Sequence, residues 1–143
     1  RSAGARIKII GDGDVSAVIS SVIDSSNIDM YYGIGGAPEG VLAAAALHCL
    51  GGQMQSRLVI KSDEEIKRAK KLGISNFEKK YTIDDMIKGD VIFCATGVTD
   101  GSMLKGVKFL GGDRATTHSL VMRSETGTVR HIEAIHDFTK KTN

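Results

Sequence analysis

The sequence predicts an α/β domain, a layered mixed β-sheet with flanking helices. Apolar β-branched runs alternate with helical periodicities over the first ninety-odd positions. Two strictly alternating runs then close the chain as a hairpin. With 143 residues, 41% of them apolar, there is enough material for one core.

In chain order, Ala5–Ile10 is a short strand bounded by Gly4 and Gly11. The Gly11-Asp12-Gly13-Asp14 turn follows, with Asp14 as N-cap of a helix over Val15–Ile23. Ile28–Ile34 is a second strand, interrupted by Gly35-Gly36. Pro38 suits a first helical turn, and Glu39–Leu50 is an Ala/Leu-rich helix closed by Gly51-Gly52. Arg57–Ile60 is a third strand. Ser62 and Glu65 make a capping box for a helix reaching Leu72, with acids in its first turn and Lys67, Arg68, Lys70 and Lys71 in its last. Thr82 and Asp85 repeat that signal for a short helix ending near Gly89. Asp90–Ala95 is a buried strand, and Ala115–Arg123 pairs with Thr128–His136 across Ser124–Gly127. Lys140–Asn143 is a loose tail.

Composition removes several classes of function. A formal net charge of +2, from 19 basic and 17 acidic residues, lacks the basic excess of a nucleic-acid binder. Val41–Leu50, the longest run of interest to a membrane, is far short of the roughly 20 residues a span needs. Cys49 and Cys94 both sit in apolar runs and read as buried, unpaired thiols of a reducing, cytoplasmic setting. The chain opens on Arg1 without a signal peptide or an initiator methionine, so an upstream segment is expected.

Seventeen glycines beside one proline, outside any repeat, point to tight turns or close backbone approach to a ligand. In a sheet of this kind ligands gather at the carboxyl ends of strands. Three loops there share one flavour, glycines with at least one carboxylate: Gly11–Asp14, Gly33–Gly40 and Thr96–Gly101. Exposed main-chain N–H groups suit an anion, and carboxylates suit hydroxyls or a hard divalent metal. The combination fits a phosphorylated polyol beside a metal ion. Gly33-Ile34-Gly35-Gly36-Ala37-Pro38-Glu39-Gly40 fails as a dinucleotide fingerprint because Pro38 takes the third glycine's place. It fails as a P-loop because Val41 and Leu42 replace Lys and Ser/Thr. Position alone leaves two readings open. Glu39 serves the helix dipole, Asp12 and Asp14 serve the turn and cap, and Asp100 serves a turn, whether or not anything binds there.

The order of motifs carries more. Ala3-Gly4-Ala5-Arg6-Ile7-Lys8 leads to Asp12-Gly13-Asp14-Val15, then to GIGGAPEG with its Ala-rich helix. Cys94-Ala95-Thr96-Gly97-Val98-Thr99-Asp100-Gly101 and Thr117-His118-Ser119-Leu120-Val121-Met122-Arg123 follow. Over essentially its whole length the chain resembles the carboxy-terminal half of the class II (GlpX-type) fructose-1,6-bisphosphatases. The resemblance implies the carboxy-terminal domain of the lithium-sensitive sugar-phosphatase fold. It implies an enzyme of gluconeogenesis and glycerol metabolism that uses Mn²⁺ or Mg²⁺ to remove the 1-phosphate of fructose 1,6-bisphosphate. By motif, Glu39 matches a metal ligand, and Asp12, Gly13, Asp14 and Gly36 match substrate-contacting positions. No catalytic residue is assigned in this half. The other metal carboxylates are implied to lie in an amino-terminal half of the same polypeptide, absent here, so the isolated chain is expected to be inactive. A homo-oligomer is expected, with neither nucleic acid nor membrane as partner.

Two alternatives stand beside this reading: an enzyme that also accepts sedoheptulose 1,7-bisphosphate, and a non-catalytic sugar-phosphate-binding or assembly module. The remaining polar residues read as structural. His48 packs on its helix, and His118, His131 and His136 belong to the hairpin. Arg123 and Arg130 pair with Glu125 or Glu133 on the surface. Lys67–Lys71 is a solvated face, and Tyr31 and Tyr32 pack in the sheet.

Overall fold

The computed structural model describes residues 2–141. In order these form α1 (Asp14–Ser20), a 3₁₀ turn (Asp24–Ser26), α2 (Ala37–Leu50), β1 (Gln55–Ser56) and α3 (Asp63–Lys71). Then come β2 (Tyr81–Thr82), α4 (Ile83–Met86), β3 (Ile92–Thr96), β4 (Lys108–Phe109), β5 (Arg114–Arg123), β6 (Thr128–Asp137) and a final 3₁₀ turn (Phe138–Lys140). The expected tail is therefore partly structured: Lys140 ends that turn, and Thr142 and Asn143 lie outside the described residues.

The hairpin is the centre of the main sheet. β5 pairs with β6 along its full length, from Arg114↔Asp137 to Arg123↔Thr128. On its other side β3 lies beside the second half (Ile92↔Arg123 to Thr96↔Ser119) and β4 beside the first (Lys108↔Thr116). β1 and β2 form a separate two-stranded ribbon. Every pairing among the described residues is antiparallel. This corrects the expected mixed sheet. Ala5–Ile10, Ile28–Ile34 and Arg57–Ile60 join no ladder, and Ile9 and Ile34 are 87% and 71% exposed. β-Branched propensity describes fit to a pleated, half-buried surface, and no strand of the described chain lies beside these runs to supply one.

Strand alternation sets the core. Phe93, Ala95, Leu120 and Met122 share one sheet face and meet Ile19 of α1 and Ala46 and Cys49 of α2. Cys94 points the other way and is exposed, which corrects its expected burial; both cysteines are free. A second cluster joins Val18 of α1, Ala43, Ala44 and Leu47 of α2, and Ile83 of α4. α2 is thus packed on two sides, which explains a helix that is apolar nearly all round. Fully burying Leu47 or Leu120 contributes about 2 kcal/mol each.

Caps act where local chemistry dictates. Gly51 closes α2 in the left-handed region at φ 72°, its neighbour Gly52 donating N–H to Leu47 O at 2.9 Å. Ser62 Oγ accepts from Glu65 N at 3.3 Å, although the Glu65 carboxylate reaches Lys61 N rather than completing the box on Ser62. At α4, Asp85 accepts from Thr82 N at 2.9 Å and from Lys79 Nζ at 2.7 Å. Lys79 first, then the Thr82 amide, hold the Asp85 carboxyl down to about 2. The expected N-cap of α1 shifts by one residue. Gly13, at φ 78°, is the cap, and Asp14 begins the helix without a side-chain cap bond. A left-handed backbone at that position favours glycine.

Candidate active site

Packing of α1 on α2 through Val18, Ala43, Ala44 and Leu47 brings the two helix starts together. Asp14 stands in the first turn of α1 and Glu39 in the first turn of α2. The loop into α2 runs between them. A methyl group placed on Gly35 would lie 2.9 Å from Asp14 Oδ2 and 3.6 Å from Glu39 Oε2. The two carboxylates therefore converge around one glycine, though 25 positions separate them in sequence (39 − 14).

Glu39 also performs the structural task its position suggests. Its Oε2 accepts the Gly36 N–H at 2.9 Å, and a methyl on Gly36 would stand 3.0 Å from the same oxygen. A carboxylate has lone pairs to spare beyond one such bond, so capping and ligation are compatible. Asp12 and Gly13 lie on the exposed turn leading into α1. Of the five predicted site residues, the structure gathers Asp14, Gly36 and Glu39 closely and leaves Asp12 and Gly13 on the adjoining turn.

Tyr31 is the residue that sequence reasoning missed. No sheet surrounds it, contrary to expectation. It is half-buried against the α1/α2 cluster, whereas Tyr32 is 91% exposed. Its ring folds back along the loop, so that a methyl on Gly33 would lie 2.1 Å from Tyr31 Oη. Burial above all pushes the phenol up, and the neighbouring carboxylates of Asp14 and then Glu39 push it the same way. The only sequence signal was the Tyr-x-Gly spacing at the loop's entrance.

The third glycine loop lies against α1. Thr96, Gly97 and Thr99 line a cavity of about 250 Å³ together with Val15 and Ser16 of α1. The loop is cross-braced: Val107 N donates to Val98 O at 3.1 Å, and Gly106 N donates to Asp100 Oδ1 at 2.9 Å. Asp100 is a structural residue of the loop, as expected. A larger hollow of about 310 Å³ lies at the far end of α1, by Ser21 and Ile28, and neither hollow is lined by a predicted site residue.

The other polar residues sit near their sequence readings. His118 faces Glu133 across the strands at 3.7 Å, and His136 Nε2 bonds Thr117 Oγ1 at 2.9 Å. Arg123 pairs with Glu125. The Lys67–Lys71 cations are exposed.

Asp14 and Glu39 offer hard oxygen donors, the kind that Mg²⁺ and Mn²⁺ take. Among the described residues no group of three His, Cys, Asp or Glu side chains gathers. The donors fit a hard divalent ion in chemistry, and two carboxylates fall short of a full coordination set.

The family model described as bacterial fructose-1,6-bisphosphatase, glpX-encoded, matches residues 1–136, and the chain belongs to that family. It is 41% identical to the D-fructose 1,6-bisphosphatase class 2/sedoheptulose 1,7-bisphosphatase 2 of Acaryochloris marina (strain MBIC 11017), over 96% of this chain and 43% of that protein. It is 42% identical to the D-fructose 1,6-bisphosphatase class 2/sedoheptulose 1,7-bisphosphatase of Synechococcus sp. (strain JA-2-3B'a(2-13)), over 95% of this chain and 43% of that one. The chain thus spans less than half the length of these curated relatives.

Proposed function

We propose that this chain supplies one side of the active site of a metal-dependent sugar bisphosphatase that hydrolyses the 1-phosphate of fructose 1,6-bisphosphate. The convergence of Asp14 and Glu39 around Gly35, in a chain of this family, carries the reading. Glu39 holds Mn²⁺ or Mg²⁺. Asp12 and Asp14 accept hydrogen bonds from sugar hydroxyls, while Gly13 and Gly36 allow close approach of backbone to substrate. When bound, the metal activates water and offsets charge on phosphate and leaving oxygen. The chain's own contribution is positional: fixing the hydroxyls fixes which phosphate is presented for attack.

The remaining metal carboxylates come from sequence outside this chain, in the amino-terminal half of the same polypeptide. The fold is then the carboxy-terminal domain of the lithium-sensitive phosphatases, working as a cytoplasmic homo-oligomer in gluconeogenesis. The relatives' names favour a second substrate, sedoheptulose 1,7-bisphosphate, at the same site.

Phosphate release from each sugar bisphosphate with Mn²⁺ tests the reading. The expected result is turnover by the longer polypeptide that includes this chain and none by the 143 residues alone. Robust turnover by the 143-residue chain would overturn the divided site, and an inert longer polypeptide would overturn the enzyme reading.

A further inference from the structure

We propose that the outer edge of β6 is the surface on which two copies of this chain join. The two β6 strands lie antiparallel about a two-fold axis at Ile132, so that the two sheets run on as one. This rests on the proposed homo-oligomer and assumes nothing about the substrate.

β6 is paired on one side only. β5 takes its full length, Thr128–Asp137, in an unbroken register, and no strand among the described residues takes the other edge. An edge of 10 residues presents a row of N–H and C=O groups. Proteins blunt such edges with proline, lysine, a bulge or a short strand. β6 has none of these, and the chain's one proline is Pro38. Val129, Ile132 and Ile135 stand exposed along the strand, Ile135 at 68%.

The side chains of β6 complement a second copy of themselves. A two-fold axis perpendicular to the sheet keeps each face continuous, so a residue must meet one from its own face. Alternation puts Val129, His131, Glu133 and Ile135 on the face of Leu120 and Met122, with Arg130, Ile132 and Ala134 on the other. With the axis at Ile132, each His131 faces the other copy's Glu133, each Val129 faces Ile135, and Ile132 meets itself. Arg130 faces Ala134, so no like charges oppose. Opposite charges and apolar pairs directly across stabilise a ladder, and like charges weaken it. An axis at His131 sets two imidazoles against each other and Glu133 against Val129. An axis at Glu133 sets two carboxylates face to face. Within its own chain Glu133 meets His118 at 3.7 Å, and its side chain stays 66% exposed, open to a further partner.

Sedimentation velocity on the complete polypeptide tests this, with a charge swap across the axis. His131→Glu opposes two carboxylates at both ends of the contact, and Glu133→Lys opposes lysine and histidine. Each is expected to raise the dissociation constant of assembly by about tenfold or more, with the far-ultraviolet circular dichroism unchanged. The double variant restores opposite charges in reversed order and is expected to return to within about threefold of wild type. Ile132→Cys, in a Cys94→Ser background, is expected to cross-link two copies on mild oxidation, because paired Cα atoms lie about 4.5–5.5 Å apart. Arg130→Cys, which faces Ala134, is not. A monomeric wild type overturns the homo-oligomer and this interface together. An oligomer indifferent to the single variants, with no Ile132 cross-link, keeps the homo-oligomer and overturns the β6 edge as its interface. Loss that the double variant fails to recover overturns the register. Turnover of sugar bisphosphates by the same samples decides the enzyme reading separately.

Discussion

Asp14 occupies the space that a side chain at Gly35 would need, its Oδ2 2.9 Å from the position of the absent methyl. Gly35→Ala is therefore expected to push the carboxylate aside rather than unfold the loop, because the obstructing atom is the end of a side chain. Steady-state kinetics of the complete enzyme should show KM for the sugar bisphosphate up by about tenfold or more. Chemical denaturation should show a loss of about 1 kcal/mol or less. Unchanged KM would separate Asp14 from the substrate.

Glu39 has a structural task and a proposed ligating task, and two substitutions part them. Glu39→Gln keeps an oxygen for the Gly36 N–H, so stability is expected to hold while Mn²⁺ binding and turnover fall. Glu39→Ala removes both and should cost roughly 0.5–1 kcal/mol of stability as well. Calorimetric titration with Mn²⁺ beside a denaturation curve reads the two effects. A Gln variant with wild-type metal affinity would leave Glu39 a cap only.

The Asp85 carboxyl, held at about 2 against an ordinary 3.8, makes one segment acid-sensitive. A carboxylate whose folded value is depressed stabilises the fold fully above its unfolded value. That contribution fades as pH falls toward the folded one. The packing of α4 on α2 should thus hold at pH 5 and weaken between about pH 4 and pH 2. Comparing Tm against pH for wild type and Asp85→Asn checks this, and the variant should lose that part of the slope.

Gly97 sits where a methyl would lie 2.2 Å from the Lys105 carbonyl oxygen, a backbone atom that cannot swing away. Gly97→Ala is expected to cost about 1–3 kcal/mol, while Gly111→Ala, with open space around it, should be near neutral. Urea denaturation of both variants gives the comparison.

How much of this was legible depends on the range of the interaction involved. α2, α3 and the β5–β6 hairpin were readable because their signals are local: Gly51 past a helix end, acids before bases along Asp63–Lys71, alternation on both sides of Ser124–Gly127. The runs at Ile7 and Ile34 misled because strand propensity presupposes a neighbour. Cys94 misled because an apolar run hides which residues face the helices, although its alternation with Phe93 and Ala95 held the answer. Glu39 and the Asp12–Asp14 turn were visible as motifs, one by one. The convergence of Asp14 with Glu39 follows from α1 packing on α2, which no local pattern encodes.

The small residues of α2 have a consequence for mutational tolerance. Ala44 and Ala46 are fully enclosed, one against α1 and α4, the other against the sheet, on the rod that carries Glu39 at its tip. A larger side chain at either place must translate or tilt that rod, and the glutamate moves with it. Sequence drift along this helix is thus limited by volume rather than polarity, and a silent-looking Ala→Val beyond the first turn can act as an active-site mutation at a distance.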